Sequence, residues 1–406
     1  MAPGRIRPTA CGSSTAPAAI GRPVKPPSIL CLSFSDLTRD PRVRRQIRLL
    51  QQLGDVTAAG YVGVGLEGIR FVDVASPKKR LFRSLATAFR LKLRRFESYY
   101  WKINCVQRAM TALRGRTFDL VVGNDADTWP LALALRGSGR VLFDAHEFAP
   151  REFEDIWWWR VFMLPARDYL CRKYLGKADQ VVTVCQGIAD EMHRCYGVRP
   201  QVVMNAAPYR PLWSRPAPAG PIRMIHHGLA LRSRKIENMI EAMDHLDERF
   251  ELDLMLLGED TRYLDSLRSL ARARPRVRFR PPVPADRIPE ETRNYDIGLF
   301  LLEPTNFNYL HALPNKFFEF VQARLAIAIG PSPEMARLVR KHDLGVVADD
   351  FSPAALARAL NPLTPELISR YQANADRAAP VLCWEHESET LLGEARRLLG
   401  SNPCAA

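Results

Sequence analysis

The sequence lacks a CxxC pair, a His/Cys cluster at zinc spacing, a GxGxxG fingerprint after any strand-like run, and any apolar segment near membrane-spanning length. Each absence removes a class. The cysteines, at 11, 31, 105, 171, 185, 195, 383 and 404, are scattered, so a disulfide framework is excluded and reduced thiols of a cytosolic protein are expected. A bilayer-spanning helix needs ~20 apolar residues, and none is present. Without the glycine fingerprint a dinucleotide oxidoreductase is disfavoured. Residues 1–27 are rich in Pro, Ala, Gly and Arg but have no continuous apolar core of a secretory signal. They are expected to be a disordered extension or an overlong start.

What is present is positive charge and enough chain for two cores. The 406 residues carry 58 Lys and Arg against 44 Asp and Glu, a formal charge of +14. That excess implies an anionic partner: nucleic acid, an acidic membrane surface or a phosphorylated substrate. No nucleic-acid reader motif appears, so nucleic acid is not expected.

Short apolar runs at 28–34, 55–61, 70–74, 119–123, 140–144, 180–185 and 201–205 alternate with helical patterns, one of them over 36–53. Such alternation predicts a parallel sheet covered on both faces, a Rossmann-like domain over 28–205. A proline-rich stretch without periodicity, 206–221, reads as a linker. The alternation restarts over 222–379, with runs at 222–227, 252–257, 277–280, 297–302, 325–329 and 344–348, and a helix expected over 236–246. A helix and tail occupy 380–406. The fold class expected is therefore α/β, with two Rossmann-like domains facing each other across a cleft. Two stretches depart from the plain pattern. Residues 78–114 and 155–170 read as basic, aromatic, amphipathic helices, suited either to a bilayer interface or to packing their aromatics inward.

The stretch 295–334 carries the chemistry. A buried strand and a polar loop precede Pro314, Asn315 and Lys316, which start a helix because proline fits a first turn. The dipole end and Lys316 suit an anion. Asn315, Lys316 and Glu319 share a face while the phenylalanines point inward, so one face offers a cation for phosphate and a carboxylate for hydroxyls. A nucleotide diphosphate and its ribose need that combination. The plainer alternative is a solvated helix start with an ordinary salt bridge.

With these residues in place, the chain resembles a family 4 glycosyltransferase of the GT-B fold. The resemblance rests on 178–184 (ADQVVTV), Asn205, His227-Gly228 with Arg234, Ile240-Glu241-Ala242, Leu257-Gly258-Glu259, and 314–320 (PNKFFEF). DPRV at 40–43 and DAHE at 144–147 are similar to the subgroup with a PNKxFE motif. The likeness implies that the C-terminal helix crosses back to the first domain. It implies catalytic roles for His146, Arg234, Lys316 and Glu319: Glu319 on the ribose hydroxyls, Arg234 on the donor diphosphate, His146 facing the transferred sugar. Gly228, Arg232, Gly258, Glu259, Asn308, His311, Pro314 and Asn315 are the further substrate-binding candidates.

Two positions depart from the family pattern: Leu229 replaces an arginine and His311 replaces a carboxylate. Lys316 and Arg232 are the candidates to restore the charge, Asn308 or His311 to fill the space. Asp125-Ala126-Asp127 has the letters of a metal motif but falls on the first domain, so no metal and no cofactor beyond the donor are expected. The resemblance implies retaining, metal-independent transfer from a nucleoside diphosphate sugar to a saccharide or lipid-linked saccharide in bacterial surface polysaccharide synthesis. The location implied is cytoplasmic, at the inner face of the membrane, with its anionic surface as a further partner. A GT-B sugar-nucleotide 2-epimerase and a catalytically silent GT-B scaffold are the rival expectations.

Overall fold

A computed structural model describes residues 25–63, 67–75, 81–213 and 220–400, without the side chains of 81–86. The expected extension up to residue 24, residues 76–80 with the opening of the basic stretch at 78–80, part of the linker at 214–219 and the tail at 401–406 lie outside the described residues.

Two all-parallel sheets organise the chain. The first holds β1 (Ser28–Leu32), β2 (Asp55–Gly60), β3 (Arg70–Asp73), β4 (Leu120–Asn124), β5 (Arg140–Ala145), β6 (Gln180–Thr183) and β7 (Gln201–Val202), in the order β3-β2-β1-β4-β5-β6-β7. The second holds β8 (Ile222–Leu229), β9 (Phe250–Leu257), β10 (Val277–Phe279), β11 (Ile297–Phe300), β12 (Ala326–Ile329) and β13 (Gly345–Val347), in the order β10-β9-β8-β11-β12-β13. Each expected apolar run overlaps one strand, with β4, β5, β8 and β9 reaching one or two residues past it, because strands covered on both faces read as continuous apolar segments. In each sheet the order reverses beside its first strand, at β1/β4 and at β8/β11. Ligand crevices in such sheets open beyond the strand C-termini at that switch.

Local chemistry sets the helix that opens the first domain. Asp40 caps it by accepting from the Val43 amide at 3.1 Å, and Pro41 occupies its first turn. The helix therefore runs Pro41–Leu50, shorter than the expected 36–53, because Asp36 folds the preceding residues into a turn through the Thr38 amide. Val43, Ile47 and Leu50 bury one stripe against β1, and the last helix (Trp384–Gly400) joins the same core through Trp384, Leu391, Ala395 and Leu398. The chain thus crosses back to the first sheet, as the resemblance implied.

Both basic stretches are broken where one helix was expected. Helices Leu81–Lys92, Phe96–Tyr100 and Asn104–Ala112 replace the continuous 78–114 helix, since Arg94 adopts a left-handed φ of 53°. The 155–170 helix begins late, with a π turn at Trp159–Met163 followed by Leu164–Tyr174. Trp159 is buried and donates its indole N–H to the Pro150 carbonyl at 3.0 Å, while Trp157 and Trp158 stay exposed. Among the described residues no helix is long and apolar enough to cross a membrane.

The helix expected to carry the chemistry, Asn315–Gln322, is seated by glycine. A Cβ on Gly298 of β11 would meet the Phe320 ring at 2.3 Å, so only a bare Cα lets the helix lie this close to the sheet.

Candidate donor site at the second switch point

Gly228 and Leu229 end β8 and Phe300 ends β11, on either side of the reversal. Into that crevice the Asn315–Gln322 helix directs its N-terminus, which no side chain caps. Lys316 is only 6% exposed. Its Nζ lies 3.3 Å from His226 Nε2 and 4.2 Å from the centre of the Phe300 ring. It has no ion pair among the described residues. The plain salt-bridge alternative therefore does not hold. A Cβ on Gly228, whose φ is +125°, would stand 3.3 Å from Lys316 Nζ and 3.8 Å from Arg234 Nη1. Two cations thus border the space that glycine leaves open.

Electrostatics at this point are unbalanced. Burial, reinforced by Arg234 and opposed by Glu319, pulls the Lys316 ammonium well below the ordinary lysine range. One turn along the helix, burial pushes Glu319 up to about 7, against the pull of Lys316 and Arg45. Glu319 Oε2 lies 3.5 Å from His227 Nε2, and burial with Lys316 lowers His227 to about 3. His227 Nε2 and Asn315 Oδ1 are shielded from solvent without a hydrogen-bond partner among the described residues. Unpaired buried polar atoms around a lysine with no ion pair are the signature of a site that a ligand completes.

The first domain supplies a second charged cluster, at the end of β5. Arg42 donates to both oxygens of Asp144, at 2.7 and 3.0 Å, and Gln46 to one at 2.9 Å. His146 Nε2 faces Asn124 Oδ1 at 3.1 Å and its Nδ1 faces Asp125 at 3.3 Å. Both partners accept, so both ring nitrogens carry protons. Burial opposes that charge, but Asp125 and Asp144 outweigh it and hold His146 at about 9. Asp127 is paired with Arg167.

The two domains touch through the loop ahead of the site helix and through the start of the later helix Pro333–His342. Asn308 Oδ1 accepts from the Phe148 amide at 2.9 Å, the Phe307 amide donates to Glu154 at 2.8 Å, and Glu334 accepts from the Gly187 amide at 2.7 Å.

The expected site residues therefore separate into groups. Gly228, Arg234, Lys316, Asn315 and Glu319 gather at the crevice, with Pro314 as the residue before the helix. Asn308 and His311, expected beside the donor, lie instead on the contact between domains: the Asn308 amide is taken up by Phe148 and the His311 carbonyl accepts from Cys185 at 3.3 Å. Arg232 is exposed, pairs with Asp260 at 2.9 Å and stacks over Tyr263. Gly258 backs onto Ala230, and Glu259 is exposed. His146 lies on the opposite domain.

Sequence reasoning missed His226 and Arg45. The first had no local signal, since its partner lies on another element. Arg45 follows DPRV on the same helix; it donates to Asn205 at 2.7 Å, stacks on Trp384 at 5.1 Å and acts on Glu319 across the gap. An arginine-rich helix beginning at Pro41 was the available clue.

Residues 70–206 match the family model described as Glycosyltransferase Family 4. No curated protein matches the chain. Among solved structures, a glycosyltransferase from Rickettsia africae is similar at 13% identity and TM-score 0.66, over 93% of this chain and 100% of that one. WaaG, a glycosyltransferase involved in lipopolysaccharide biosynthesis, is similar at 13% identity and TM-score 0.63, over 90% and 99%. HepE from Anabaena, in complex with UDP-glucose, is similar at 13% identity and TM-score 0.67, over 91% and 99%. The match over 70–206 is to a glycosyltransferase family 4 model, and the two parallel sheets form the two-domain GT-B fold seen in those glycosyltransferase structures.

Proposed function

We propose that this protein transfers a sugar from a nucleoside diphosphate sugar to a saccharide acceptor, retaining anomeric configuration and using no metal. One observation carries the reading. Lys316 is a buried lysine with no ion pair among the described residues, bordered by Arg234 and opening onto the bare Cα of Gly228, with Glu319 one turn away. Breaking the anomeric bond loads negative charge onto the departing diphosphate. Lys316, Arg234 and the uncapped helix amides are already in place to stabilise that charge as it develops. Glu319 accepts from the ribose hydroxyls. His146, held as an imidazolium, faces the transferred sugar from the first domain. Asp125 and Asp127 are engaged by His146 and Arg167, which supports charge stabilisation by side chains alone. The complex of HepE with UDP-glucose supports a nucleotide-sugar donor.

For the acceptor, exposed Phe89, Leu93, Trp157, Trp158 and Val161 stand near Arg90, Lys92, Arg94, Arg95 and Arg160, and helix Leu81–Lys92 packs against the Trp159–Met163 turn. An apolar surface rimmed by cations suits an anionic leaflet, and hence a lipid-linked saccharide at the inner membrane face. Product analysis tests the transfer. The full chain incubated with UDP-, GDP- and ADP-sugars and membrane lipid extract yields a glycosylated lipid from one of them; failure to transfer from any donor contradicts the reading. The 2-epimerase reading retains one specific support: burial pushes Glu147 up to about 8 and Glu152 to about 7. Epimerised sugar nucleotide formed from donor alone would select it.

A further inference from the structure

Lys316 has an unusual neighbour for a buried cation. A carboxylate would stabilise the ammonium but also cancel the charge offered to a ligand. In its place stands His226, fully buried on β8. Its Nδ1 lies 2.9 Å from the Leu299 carbonyl oxygen. A carbonyl only accepts, so Nδ1 bears the proton. A second ring proton would place a buried imidazolium beside an ammonium, which burial and Lys316 both oppose. Nε2 is therefore a lone pair, aimed at Lys316 Nζ from 3.3 Å. Phe300 completes the surroundings: the imidazole stacks on it with ring centres 5.8 Å apart, and Nζ lies 4.2 Å from its centre. Both partners attract a cation and neither carries charge.

We infer that His226 is a positioning residue for the donor diphosphate, orienting Lys316 through an imidazole lone pair that leaves its charge uncompensated toward Gly228. The inference rests on the donor reading above, and it assigns a role to a side chain that touches no substrate. The geometry chain is specific: the Leu299 carbonyl fixes the tautomer, the tautomer fixes the lone pair, and the lone pair fixes the ammonium.

Substitutions can separate these links. In His226→Gln an amide oxygen takes the place of Nε2 and keeps the acceptor. In His226→Asn the amide reaches Leu299 but not Lys316. The full chain is titrated calorimetrically with UDP, GDP and ADP and their monophosphates. Wild type is expected to bind one diphosphate about 10-fold or more tighter than its monophosphate, and His226→Gln to keep that ratio within about 3-fold. His226→Asn is expected to lose most of the ratio with monophosphate affinity unchanged. In a Lys316→Met background His226→Asn is expected to have no further effect, as coupling through one residue requires. A wild-type ratio in His226→Asn, or a loss that persists without Lys316, overturns the role of His226. Wild type binding none of the diphosphates overturns the donor reading itself, and this inference with it. Should the variants fail to fold, nitrogen-15 spectra of wild type decide: a protonated Nδ1 with an unprotonated Nε2 is expected at His226, and the opposite tautomer contradicts the inference.

Discussion

Arg42 and Asp144, 102 residues apart, form a two-pronged ion pair: Nε to Oδ2 at 3.0 Å and Nη2 to Oδ1 at 2.7 Å, with both side chains withdrawn from solvent. Arg42 overcomes the burial that would raise the Asp144 carboxyl and holds it far below the ordinary range. The pair joins DPRV to DAHE, two sequence fragments with no local reason to meet, and its carboxylate also steadies His146.

Removing one partner leaves the other as an uncompensated buried charge, which costs about 3–5 kcal/mol. Arg42→Met should lower the urea midpoint accordingly without changing the slope. Replacing both, Arg42→Met with Asp144→Leu, should recover part of the loss while lowering the charge on His146. A single variant as stable as wild type would show that the pair contributes nothing.

Gly298→Ala tests how the Asn315–Gln322 helix is seated. The added methyl meets the Phe320 ring at 2.3 Å, and overpacking of this kind costs about 1–3 kcal/mol. The thermal midpoint should fall, and nucleotide affinity should fall with it because Lys316 moves with its helix. Lost stability with unchanged affinity would mean that the helix start is held independently of Phe320.

Glu319 should make stability fall as pH rises. Its native carboxyl is raised from 4.5 to about 7, so between those values the folded chain holds a proton that the unfolded chain has released. The contribution is fully present below 4.5 and is lost by about 7. His227, lowered to about 3, works the other way: below 6.5 the unfolded chain takes up a proton first, and stability falls with pH. Comparing Glu319→Gln with wild type isolates Glu319 from this and from Lys316 and Arg45. The variant should be more stable at pH 8 by about 1–3 kcal/mol and matched at pH 4. Equal stabilities at both values would contradict the shift.

The apolar and basic surface of the first domain should bind anionic vesicles. Replacing exposed Trp157 and Trp158 by alanine should reduce co-flotation with phosphatidylserine vesicles, and added salt should weaken wild-type binding. Equal flotation of both proteins would remove this surface from the account.

Much of this was legible in the sequence because it is local. Strands such as Ile297–Phe300 announce themselves as short apolar runs, and the helix start at Pro314, Asn315 and Lys316 follows from proline and charge. The break at Arg94 was not legible, since a left-handed arginine has no compositional mark. The same limit hid His226, 90 residues from Lys316, and the Asn308 bond to Phe148, 160 residues away. Donor candidates on one element could be read directly; partners set by topology could not. Arg232 is a cation of the right type whose charge is turned to Asp260.

The most direct measurement is the thermal midpoint of the full chain with UDP-, GDP-, ADP- and CMP-linked sugars, in wild type, Glu319→Ala and Lys316→Met. A ligand held only by the folded state raises the midpoint with its affinity. The account predicts a clear rise with one sugar nucleotide in wild type and its loss in both variants. A rise of the same size in either variant would contradict it.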